Sequence, residues 1–122
     1  MEREIPTTMT GTINQTYHAG LVSTVNYITG KGAYALIDPH NFGRYYGNVI
    51  ADYAGFKTWW TTVATQFKGN SKVIFDCNNE PHDMGSASVP QLMQACIGKS
   101  PNLRAWFPIQ VVVSTSCITS EV

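Results

Sequence analysis

Ala33-Tyr34-Ala35-Leu36-Ile37-Asp38-Pro39-His40-Asn41 is a short apolar run that breaks off into polar residues. Val73-Ile74-Phe75-Asp76-Cys77-Asn78-Asn79-Glu80-Pro81-His82-Asp83 repeats that pattern about 40 residues later, a strand-to-strand spacing suited to a (β/α) barrel or a doubly wound sheet. Each apolar run is continuous rather than alternating, which predicts a strand buried on both faces. Pro39 cannot donate to a ladder, so the first strand ends there. Between the runs, Phe56, Trp60, Val63 and Phe67 recur at helical spacing and predict a helix over 55–68, stopped by Gly69-Asn70. Trp60 belongs to the apolar face, and Trp59 is expected to face solvent or a neighbouring helix. A helix over 17–29 precedes the first run, with Leu21, Val25 and Ile28 on its apolar side. Another over 89–97 follows the second, with Leu92 and Cys96 facing in. Residues 1–16 read as irregular, and 42–48 as a polar, aromatic loop. Strand–helix–strand–helix order implies parallel strands joined by right-handed crossovers, an α/β fold.

At 122 residues the chain is one domain by length, with 43% hydrophobic and only 13% charged residues. Eight basic side chains balance eight acidic ones, which disfavours a nucleic-acid partner. The apolar share disfavours disorder. No apolar run approaches the roughly 18 residues of a membrane span. Met1-Glu2-Arg3-Glu4 opens the chain without the apolar core of a signal peptide. Cys77, Cys96 and Cys117 are an odd number, so at least one is expected to be unpaired. Cys77, inside a strand run, reads as a small apolar packing residue. The tripeptide Asn14-Gln15-Thr16 is a glycosylation sequon, which matters only if the parent protein is secreted.

Chemistry concentrates at the ends of the two strand runs, where α/β proteins build their sites. Asp38, His40 and Asn41 end the first, and Asn78, Asn79, Glu80, His82 and Asp83 end the second. Glu80, at a strand end partly screened from water, could serve as a general acid; it could equally cap a helix starting at Pro81. His40 could orient a substrate or be a buried histidine bonded to backbone. His82 reads as structural. Asn79 could bind a sugar hydroxyl, and Phe42, Tyr45 and Tyr46 could stack on sugar-ring faces or pack on the rim. His40, His82, Asp38 and Asp83 lack metal-ligand spacing, so no metal is expected, and no cofactor motif occurs.

Gly32 to Tyr46 resembles the third-strand region of the fungal family five glycoside hydrolases, the endo-β-1,4-glucanases. Val73 to Asp76, with Asn79-Glu80-Pro81-His82-Asp83-Met84, resembles the fourth strand and its Asn-Glu signature. The resemblance covers about residues 1–97 and implies a fragment of a (β/α)8 TIM barrel holding the third and fourth βα units. It implies cellulose or another β-glucan as partner, retaining hydrolysis with Glu80 as general acid/base, Asn79 on the sugar 2-hydroxyl, and His40 lining the cleft. Asn41, Tyr45 and Tyr46 are further candidate substrate contacts. Retaining chemistry needs a second carboxylate about 5–5.5 Å away. The family supplies it from the seventh strand, so this chain alone is expected to be inactive. A non-catalytic carbohydrate-binding remnant or a pseudogene product is the alternative. The parent family is extracellular. Residues 98–122 do not resemble the family's continuation and read as a divergent tail, in which Gln110 to Val113 could be a strand. Open strand edges predict non-specific self-association.

Overall fold

The computed structural model describes residues 9–85 and 88–97. Helix α1 (Gln15–Gly30) leads into strand β1 (Ala35–Ile37). A small hairpin follows, β2 (Arg44–Tyr45) with β3 (Asn48–Val49). Helix α2 (Tyr53–Gln66), strand β4 (Val73–Phe75) and helix α3 (Ser88–Ile97) complete the order. β1 and β4 pair in parallel, with Ala35 opposite Val73 and Ile37 opposite Phe75. The expected strand–helix–strand–helix frame is therefore present, with no closed barrel among the described residues.

Local chemistry sets the helix starts. Asn14 caps α1 by accepting the Tyr17 N–H at 3.1 Å, and Asp52 caps α2 by accepting the Gly55 N–H at 2.8 Å. A side chain at Gly55 would overlap the Asp52 carboxylate, so that glycine protects the cap. The core lies between the sheet and α2. Phe56, Trp60, Val63 and Phe67 are buried, and the Phe75 ring meets Trp60 edge-on at 5.7 Å and Phe67 at 6.5 Å. Trp60 Nε1 also donates to the Cys77 carbonyl at 3.2 Å, so the main helix grips the end of β4. Leu92 of α3, packed beside α2, is fully buried in the same core.

Four expectations change. Of the alternatives for Trp59, solvent is removed: it is 2% exposed, stacked on Phe56 and edge-on to Trp60. β1 is buried on one face only. Ala35 and Ile37 point into the core, whereas Leu36 is 54% exposed, because no described residue covers the opposite face of a two-stranded sheet. The segment after His40 is a hairpin, not merely a loop. Tyr46 and Gly47 both take positive φ at its turn, the twist a two-residue hairpin needs. Cys77 is not a free packing thiol: it forms a disulfide with Cys96. Nor does it lie inside a strand: it stands two residues beyond β4, where Cys96 of α3 meets it. Cys117 and the tail from 98 onward, including the strand expected at Gln110 to Val113, lie outside the described residues.

Candidate active site at the strand ends

The C-terminal ends of β1 and β4 lie side by side, so the two polar clusters share one edge. Asp38 is the pivot. Its Oδ1 accepts the backbone N–H of His40 at 3.0 Å and, across the sheet, that of Asn79 at 3.1 Å. Its Oδ2 lies 2.7 Å from His40 Nδ1. A carboxylate there holds the proton on Nδ1 and leaves Nε2 of the neutral ring as an outward acceptor. His40 itself is 67% exposed at the side chain, so it is not the buried, backbone-bonded histidine.

Asn78 makes the second crossing. Its Nδ2 donates to Asn41 Oδ1 at 2.6 Å, and its Oδ1 accepts the Gly43 N–H at 2.6 Å. Arg44 makes the third, donating through Nη1 to the carbonyls of Phe42, at 2.9 Å, and His82, at 3.1 Å. The Phe42 ring stands between His40 and His82, with centroids 5.6 and 5.4 Å away. His82 pairs with Asp83 at 2.7 Å. Tyr45 and Tyr46 lie on the hairpin beyond Arg44, edge-on to one another at 4.9 Å, with Tyr45 packed toward the core and Tyr46 exposed.

Glu80 follows Asn79 and is exposed, and its carboxylate makes no hydrogen bond with a described residue. It caps no helix, because α3 starts only at Ser88. Its φ is +41°, and His40, Phe42, Tyr46 and Asp83 also have positive φ. Five non-glycine residues in this uncommon region, all on these two loops, store backbone strain that the cross-links hold in place. Gly43, at φ +74°, sits beneath them. A Cβ there would fall 2.6 Å from Met84 Sδ and 3.2 Å from Pro81 Cβ. Gly43→Ala should therefore lower stability by about 2 kcal/mol, from the left-handed backbone and the crowding, measurable as a lower thermal midpoint. An unchanged midpoint would mean that the Pro81–Met84 loop does not rest on Gly43.

Sequence reading undervalued Asp38, Asn78, Arg44 and Asp76. The bonds that Asp38, Asn78 and Arg44 make between the two loops, and the burial of Asp76, appear only in the folded chain. Asp76 is buried, and burial first, then the neighbouring Asp38 carboxylate, pushes its pKa up; the Asn78 N–H and His40 oppose the shift. A carboxyl raised in the folded state binds its proton more tightly there than in the unfolded chain. Stability from this group is thus greatest below the ordinary carboxyl pKa of 3.8 and falls as pH rises through the raised value. Asp76→Asn should raise the thermal midpoint at neutral pH, with the gain fading toward pH 3.8. A uniform gain or loss at every pH would refute this. Among the described residues, no group of three or more His, Cys, Asp or Glu is arranged to hold a metal ion.

Polar and aromatic residues thus crowd the ends of two parallel strands in an α/β frame, the edge where such frames place their sites. The model of the cellulase family, glycosyl hydrolase family 5, matches residues 1–108, and the chain belongs to that family. It is 53% identical over 97 residues to a probable endo-beta-1,4-glucanase B of Neosartorya fischeri, covering 80% of this chain and 30% of that protein. It is 50% identical over 97 residues, with the same two coverages, to endo-beta-1,4-glucanase A of Emericella nidulans. The endo-beta-1,4-glucanase Xac0029 of Xanthomonas axonopodis pv. citri superposes with a TM-score of 0.74 at 28% identity, over 85% of this chain and 33% of that one. The Pseudomonas stutzeri endoglucanase Cel5A, solved with cellobiose, gives 0.73 at 27% identity, over 85% of this chain and 32% of that one. The chain thus spans about a third or less of the length of these relatives. The described residues are an α/β piece of the (β/α)8 barrel.

Proposed function

We propose that this chain carries the general-acid/base half of a retaining endo-β-1,4-glucanase site whose substrate is cellulose or a related β-glucan. The observation behind this is the Asp38 carboxylate, which ties His40 and the Asn79 backbone together beside Glu80. Glu80 would protonate the leaving glycosidic oxygen and later deprotonate water. Asn79 would bind the 2-hydroxyl. The acceptor Nε2 of His40 would take a hydroxyl proton, with Asn41, Tyr45 and Tyr46 as further contacts. The exposed Glu80 belongs in a cleft completed by other barrel strands. The nucleophile would come from a seventh strand that these two βα units do not include, so the chain alone has no double displacement to run. We further propose that the parent is secreted. The Cys77–Cys96 disulfide supports that reading, since such bonds persist in oxidising compartments.

Reducing-end release from cellopentaose tests the reading. The 122-residue chain should release none above background. Turnover abolished by Glu80→Gln would overturn the incompleteness and keep the role of Glu80. Turnover indifferent to Glu80→Gln would overturn both. A positioned general acid is worth about 10²- to 10⁴-fold, so the substitution's effect would be unmistakable.

A further inference from the structure

We propose that Asn14 is a site of N-linked glycosylation on the rim that carries the candidate active site. Asn14-Gln15-Thr16 is the only Asn-x-Ser/Thr tripeptide in the sequence, and Gln15 leaves it free of the proline that would block it. The tripeptide opens α1, and all three residues are exposed. The side-chain atoms of Asn14 divide the work. Oδ1 accepts the Tyr17 N–H and caps the helix. Nδ2, the atom to which a glycan is joined, has no partner among the described residues, and neither has the Thr16 hydroxyl. A glycosylated asparagine keeps its amide carbonyl, so the cap survives the modification. Fold and glycan therefore do not compete for the same atom.

A second, independent feature places the chain where such chemistry occurs. The Cys77–Cys96 disulfide belongs to an oxidising, lumenal environment. There the donor is an oligosaccharide joined to a lipid pyrophosphate. The Asn14 Nδ2–C1 bond forms as the C1–O bond to phosphate breaks. The lipid pyrophosphate leaves, and Nδ2 gives up one proton.

The topology sets where the glycan stands. The C-terminal end of α1 lies at the start of the sheet, since Thr29 Oγ1 accepts from Asn70 and the Gly32 carbonyl accepts from Lys72, just before β4. Sixteen helical residues carry Asn14 roughly 24 Å back along the helix, toward the end where β1 and β4 terminate. The sugar chain would project from the outer layer of the face that presents His40 and Glu80.

The full chain, expressed in yeast behind a secretion leader, gives the test. Intact mass is read on total cell and medium protein before and after peptide N-glycosidase. One amidase-sensitive glycan is expected, retained in Thr16→Ser and reduced to none in Thr16→Ala and Asn14→Asp. Peptide N-glycosidase leaves aspartate at position 14, so the deglycosylated parent is chemically Asn14→Asp. The informative comparison is Thr16→Ala, whose unglycosylated Asn14 keeps the cap and whose thermal midpoint should match theirs. A chain that has formed Cys77–Cys96 but shows no amidase-sensitive mass overturns the proposal. A glycan that persists in Thr16→Ala or Asn14→Asp overturns it as well. Neither result depends on β-glucan hydrolysis.

Discussion

Cys77→Ala should cost about 3 kcal/mol of stability, and Cys96→Ala the same. The two cysteines are 19 residues apart, and a closed loop of that size removes roughly 3 kcal/mol of conformational freedom from the unfolded chain. The loop it closes contains Asn78, Asn79, Glu80 and the strained Asp83, so the bond does more than restrict the unfolded state. It fastens the β4 end to α3 on one side, while Trp60 holds the Cys77 carbonyl on the other. Cys77 is almost completely buried, so alanine also leaves a small void beside the core. Chemical denaturation of the oxidised, reduced and substituted chains checks this. The reduced parent should fall close to Cys77→Ala. If reduction changes nothing, the remaining core already fixes this crossover.

Asp38→Ala should disorganise the rim at a cost of about 2–4 kcal/mol. It removes three contacts at once: the His40 N–H, the His40 ring and the Asn79 N–H. A half-buried backbone donor left without an acceptor costs about 1–3 kcal/mol, and hydrogen bonds to a charged acceptor are worth more than neutral ones. The substitution also takes a negative neighbour away from Asp76, easing the strain on that buried carboxyl and offsetting part of the loss. Nitrogen NMR of the histidine ring separates the outcomes. In the parent, the proton of neutral His40 should sit on Nδ1; in Asp38→Ala it should shift toward Nε2. A parent ring already protonated on Nε2 would show that Asp38 does not set the acceptor face.

The frame was legible in the sequence because burial writes it there. Val73, Phe75, Phe56, Trp60 and Leu92 recur at strand and helix periods and do become the core. The adjacency of the Asp38 and Asn79 clusters also followed, since parallel neighbours place equivalent ends together. Three things were not legible. Leu36 looks as buried as Ile37, because an apolar residue carries no label for which face is covered. Cys77 and Cys96 carry no signal of pairing beyond both facing inward. The cross-links of Asn78, Gly43 and Arg44 span 35 to 38 residues, and polar side chains of this kind suit many solvated loops equally well.

The positive-φ residues of the rim carry a further implication for engineering. His40, Phe42, Tyr46, Glu80 and Asp83 each occupy a conformation that glycine or asparagine would adopt with less resistance. Local optimisation for robustness would therefore target the stretch that forms the candidate site. Glycine at position 42 or 46 would relax the backbone and give up an aromatic surface in the same step. Durability and recognition thus pull on the same few residues, and selection for heat tolerance alone would tend to blunt the rim first.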